Sequence, residues 1–143
     1  MSPTSRELVR RFYDVVWNKA DEDAAREILD ANFLFRASLG TERRGPDGFI
    51  EYLRAVHAAL ENFVCVIEDM IATPDQVAAK MMFRGRHRAT FFGVEATGRE
   101  IHWSGAAFFR MSGGRITELW ILGDIDAIKR QLMPEHPERS FLR

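Results

Sequence analysis

At Phe63 the hydrophobic period of this chain changes, and the change sets the class of fold it can adopt. Upstream, apolar residues recur at helical spacing: Leu8, Phe12, Val15 and Val16 with the Tyr13/Trp17 pair, then Ala24, Ala25, Ile28 and Leu29, then Phe49, Leu53, Val56 and Leu60. Thr4 or Ser5 with Glu7 reads as the start of a first helix, Asp21 as the cap of a second, and Pro46 as the first turn of a third. Downstream, apolar and polar residues alternate, which predicts strands over residues 63–72, 76–90, 99–111 and 115–123. One earlier strand is expected over residues 32–39, and a last helix over 126–132, cut by Pro134 and Pro137. Thr73-Pro74-Asp75 and Ser112-Gly113-Gly114 are short enough to close antiparallel hairpins. Helices followed by a meander of strands make an α+β domain, with the helices on one face of a curved antiparallel sheet. Residues 1–133 form this one domain, and residues 134–143 read as a loose tail with Phe141 as its one anchor.

Length and charge narrow the functions open to it. A chain of 143 residues suffices for one core of ordinary size. Twenty Lys and Arg against twenty-one Asp and Glu leave a net charge of −1, so there is no basic stripe for nucleic acid. No apolar leader and no run of about 18 apolar residues marks export or membrane spanning. The single cysteine, Cys65, excludes an intrachain disulfide framework and points to a reducing compartment, the cytoplasm. Its mid-strand setting reads as a buried, inert thiol. His57, His87, His102 and His136 fall on different segments, so no metal site is expected. Phosphate-binding glycine loops, the serine-hydrolase elbow and the zinc-protease helix are all missing.

Parity assigns the faces of the strands. Val77, Ala79, Met81, Phe83, Gly85 and His87 share an inner face, and so do Ile101, Trp103, Gly105, Ala107 and Phe109. In residues 115–123 both alternating sets are apolar, so parity does not choose between them. A sheet apolar on both faces needs a second cover. Met82, Phe108, Leu119 and Ile121 are therefore expected outside, against a second copy of the chain about a two-fold axis.

Three Trp, two Tyr and eleven Phe are more aromatic residues than a small core needs. Phe12, Phe33, Phe49 and Phe108 read as core or interface, while Tyr13, Trp17, Phe83, Trp103 and Trp120 group around a cavity. Asp124 follows Trp120 by four residues at the end of a strand. If that face lines the cavity, poor solvation makes Asp124 a general acid or base; otherwise it caps the final helix. His87, at the end of a neighbouring inner face, is its candidate partner.

The run Gly85-Arg86-His87, Phe92-Gly93-Val94, Thr97-Gly98-Arg99 and Ile101-His102-Trp103-Ser104-Gly105 resembles the SnoaL-like polyketide cyclase (ester cyclase) family. So do Phe109-Arg110, Gly114-Arg115-Ile116, Glu118-Leu119-Trp120, Asp124 with Gln131-Leu132, and the earlier Phe12-Tyr13 and Arg44-Gly45-Pro46 segments. The resemblance implies a nuclear-transport-factor-2-like cone that encloses a pocket, plugged by helices, with association through the sheet. It also implies that Asp124 is the acid/base of an intramolecular aldol cyclisation needing no cofactor or metal. Two departures stand out. Beside Phe35, Arg36 occupies the place of a pocket histidine, which points to an anionic or carbonyl-rich ligand or to a different chemistry, and Glu95-Ala96 replaces a lid proline.

The sequence therefore leads to a cofactor-independent enzyme acting on a small hydrophobic carbonyl compound. Asp124 and His87 are expected to act in catalysis, with Tyr13, Trp17, Phe35, Arg36, Phe83, Trp103 and Trp120 around the ligand. The alternatives are a binding protein that holds such a molecule without turning it over, a hydroxylase, isomerase or dehydratase on the same scaffold, and a bare dimerisation scaffold.

Overall fold

A computed structural model describes residues 3–133; the expected tail, 134–143, lies outside the described residues. Thr4 caps α1 (Ser5–Arg11) through a capping box with Glu7, and the helix then widens into a π-helical turn (Phe12–Trp17). Asp21 caps α2 (Glu22–Ile28) by accepting from the Ala24 N–H. Next come β1 (Leu29–Arg36), a short edge strand β2 (Glu42–Arg44), and α3 (Gly45–Ala59), which has Pro46 in its first turn. The meander follows as β3 (Leu60–Ala72), β4 (Gln76–His87), β5 (Glu100–Ser112) and β6 (Arg115–Gly123), and α4 (Ile125–Leu132) closes the described chain.

The six strands form one sheet in the order β2-β1-β6-β5-β4-β3. It is mixed, not wholly antiparallel as expected, because β1 runs parallel to β6. The hairpin turns dictate the antiparallel pairs, whereas the β1–β6 pair is closed only after α3 and four further strands have intervened. The first strand also begins earlier than residue 32, directly at the end of α2. β2 escaped the sequence reading because Glu42-Arg43-Arg44 carries no apolar alternation.

The expected faces of β4 and β5 hold: Val77, Ala79, Met81, Phe83 and His87 are buried, as are Ile101, Ala107 and Phe109. In β6 the register puts Leu119 opposite Phe109 and Ile121 opposite Ala107, so Leu119 and Ile121 face inward, not outward as expected. Met82 and Phe108 do lie outside, with Phe108 paired across to Trp120. The helices cover the concave face and bury Phe12, Phe33 and Phe49 completely. None of the described helices is long and apolar enough to cross a membrane.

Candidate active-site cavity

The concave face and its helical cover leave a cavity of about 410 Å³ between them. Cys65, Phe83 and Trp103 stand in one row across β3, β4 and β5 and form its floor, continued by Leu119 and Ile121 of β6 and Phe35 of β1. Tyr13 and Trp17 of the π-helical turn and Tyr52 and Val56 of α3 cover it. Phe63 stacks on Phe83 at 6.2 Å and nearly parallel, and Phe83 lies 5.5 Å from Trp103. Two glycines make room for these rings. A Cβ on Gly105 would stand 2.8 Å from Phe83 Cε2, and one on Gly123 would stand 3.2 Å from Trp103 Nε1.

Few polar groups face this space, and two of them lack partners. The Tyr13 hydroxyl and Arg43 Nε are buried without a hydrogen bond. Burial, reinforced by the nearby Cys65 and Tyr52, pushes the Tyr13 phenol well above its ordinary value, so it remains an O–H donor. The Tyr52 hydroxyl is raised by burial and partly offset by the Arg43 charge, whose guanidinium lies 5.9 Å from the Tyr52 ring centre. Burial, then the Asp14 charge, raises the Cys65 thiol well above its usual range and keeps it protonated. Asn18 clamps the Cys65 backbone with bonds to both its N–H and its carbonyl.

Of the residues expected around the ligand, Tyr13, Trp17, Phe35, Phe83 and Trp103 line the cavity. Arg36 and Trp120 do not: they lie on the other face of the sheet, with the guanidinium 4.8 Å over the indole and Phe108 beside it. Asp124 is exposed. Its neighbours Gly123 and Ile125 line the cavity, but its carboxylate accepts from the Ala127 N–H at 3.0 Å and caps α4. Of the two positions the sequence leaves open, the carboxylate occupies the helix cap, with its chain neighbours on the cavity wall.

His87 is fully buried yet does not meet Asp124. Its Nδ1 lies 3.1 Å from the Thr97 N–H, which donates to it, and 2.9 Å from the Thr97 hydroxyl, and its Nε2 lies 3.1 Å from the Val94 carbonyl. Both nitrogens therefore serve the 88–99 loop. That loop carries Thr90, Phe91 and Phe92 into the cavity wall, with Phe92 in the left-handed region at φ 49°. Among the described residues no three His, Cys, Asp or Glu side chains gather as metal ligands.

Tyr52 and Arg43 were missed. Tyr52 lies three residues after Phe49 on α3 and was within reach of helical periodicity. Arg43 pairs with Phe35, so it faces inward whenever Phe35 does.

Solved structures share this curved α+β arrangement. A candidate SnoaL-like polyketide cyclase of Jannaschia sp. CCS1 superposes with a TM-score of 0.83 at 20% identity, over 91% of this chain and 92% of its own. IdmH, a candidate polyketide cyclase of Streptomyces antibioticus, gives 0.79 at 24%, over 89% and 96%. AclR, a candidate hydroxylase of Streptomyces galilaeus, gives 0.73 at 19%, over 89% and 85%. At such identities the likeness is one of fold. Among curated proteins none matches the sequence. The chain belongs to the SnoaL-like polyketide cyclase family, whose pattern matches residues 7–132.

Proposed function

We propose that this chain is an enzyme of the cyclase type, which takes a small carbonyl-bearing, polyketide-like compound into the cavity and closes a ring within it. The observation that carries this reading is the pair of unpartnered donors, Tyr13 Oη and Arg43 Nε, in a largely apolar space rich in aromatic rings. Buried polar groups left without partners are costly in a protein interior. With both aimed at ligand oxygens, the Tyr13 hydroxyl stabilises the charge that develops on a carbonyl oxygen as an enolate forms and attacks a second carbonyl carbon, while Arg43 holds another oxygen of the same molecule. The walls hold the two reacting carbons near each other and exclude water. Family resemblance supplies Asp124 as the proton acceptor, while its capping position supports a structural role; Asp124→Asn separates the two, since asparagine keeps the cap.

Native mass spectrometry of the purified protein tests occupancy, and a diketone with an aryl body tests turnover. A bound small molecule is expected in the native chain and absent from Ile121→Trp, which fills the cavity. Tyr13→Phe should slow ring closure about tenfold or more. Ring closure unchanged in both variants would remove the cavity from the reaction. AclR keeps a hydroxylation reading in view, and an oxygenated product from the same assay would select it.

We also propose that the outer face of the sheet packs against a second copy of the chain. Phe108 and Leu122 are each 49% exposed there, beside the half-buried Trp120. Arg110 and Glu118 flank them with opposite charges, so a two-fold axis can bring each sign onto the other. Light scattering of Phe108→Glu should report a monomer where the native chain reports a dimer.

A further inference from the structure

Among the described residues the cavity wall carries one permanent charge and nothing to balance it. Arg43 is the one Arg or Lys of that lining, and no described Asp or Glu belongs to it. Arg11, Arg26 and Arg54, by contrast, meet carboxylates on the surface. Among the described residues no carboxylate comes within ion-pair distance of Arg43. Its Nε is buried and unpartnered, and the face of Tyr52 at 5.9 Å, near the limit of useful cation–π contact, is the compensation it has. The hairpin aims it. Phe35 pairs with Arg43, so the two side chains share the inner face, while Glu42 and Arg44 on either side point the other way.

Arg43 as a whole is half-buried, but its Nε is fully so, and a buried guanidinium N–H with neither a hydrogen-bond partner nor a counter-charge is unfavourable. A neutral ketone would satisfy one N–H and leave the charge. A carboxylate satisfies both, because Nε and an adjacent Nη present parallel N–H groups that match its two oxygens. Tyr13, 1% exposed and with its hydroxyl unpartnered, supplies a further donor within the same space.

Resting on the reading of this cavity as the ligand site, we propose that its ligand is an amphipathic organic acid whose carboxylate pairs with Arg43. Its apolar body lies against Trp17, Phe63, Phe83 and Trp103. The carboxylate orients the molecule in the aromatic space, so Arg43 sets which acids enter and which way round. Arg36, on the opposite face over Trp120, takes no part.

The test is isothermal titration calorimetry of the full chain with 2-naphthoate and with its uncharged counterpart, 2-naphthamide. The native chain should bind the acid about tenfold or more tightly than the amide. Arg43→Met should erase that preference, Arg43→Lys should restore part of it, and Arg36→Met should leave it intact. Equal binding of acid and amide by the native chain would overturn the inference while leaving the cavity as a ligand site, and this comparison needs no variant to fold. An acid preference that survives in Arg43→Met overturns it equally. If neither probe binds, the cavity reading falls and the inference falls with it.

Discussion

Phe108 and Phe109 are neighbours in β5, yet Phe109 is 1% exposed between Phe12 and Tyr13, whereas Phe108 is 49% exposed beside Trp120. The same contrast runs across the whole sheet. Each face carries tryptophan, phenylalanine and an arginine stacked on an aromatic ring: Arg43 over Tyr52 within, Arg36 over Trp120 without. Among the described residues helices close over one face, and that cover turns one aromatic set into a cavity while the described chain leaves the other open. Residue type alone does not mark a binding site. What distinguishes the inner set is enclosure, with donors that have lost water and gained no protein partner.

The largest difference between the faces should appear in folding. Phe109→Ala removes a ring packed against Phe12 and Tyr13 and should cost about 3 to 5 kcal/mol in urea denaturation. Phe108→Ala should cost no more than about 0.5 kcal/mol in the monomer and act on self-association instead. Comparable losses from both would mean that the two faces are equally packed.

His87 should come next. His87→Ala leaves the Val94 carbonyl and the Thr97 N–H without their partner, at a cost of about 2 kcal/mol or more, and hydrogen exchange should quicken over residues 88–99. A turnover loss in this variant with unchanged stability and loop protection would instead give the imidazole a direct catalytic part.

A smaller effect separates the interior by pH. The unfolded chain releases the Cys65 proton near pH 8.5, while the buried thiol keeps it, so the folded state binds more protons and stability falls as pH rises beyond that point. The slope should approach about 1.4 kcal/mol per pH unit, and Tyr13 should add its own above about pH 10. Below about pH 7 neither group contributes an appreciable slope. Cys65→Ala should flatten the first part, as followed by denaturation midpoints from pH 7 to 10.

The smallest effect is expected at the exposed end of β6. Asp124→Ala should cost about 1 kcal/mol through loss of the α4 cap, and Asp124→Asn close to nothing. A collapse of turnover in Asp124→Asn with ligand affinity unchanged would restore Asp124 to the chemistry and place the reacting atoms at the cavity mouth.

Local signals carried much of this molecule. The Thr4–Glu7 box, the Asp21 cap, Pro46 and the alternation of β4 and β5 each act within a few residues, and each appears in the fold as read. So do five of the seven expected lining residues, since their inward direction follows from parity or helical spacing. Tertiary structure decided the rest. Both alternating sets of β6 are apolar, so only its register against β5 turned Leu119 and Ile121 in and Trp120 out. The same holds for the arginines: the parallel pairing of Arg36 with Trp120 and the hairpin pairing of Arg43 with Phe35 are contacts between distant or turning segments. Alternation fixes which residues share a face, but which face is covered depends on where the helices land, and that is settled only when the sheet closes.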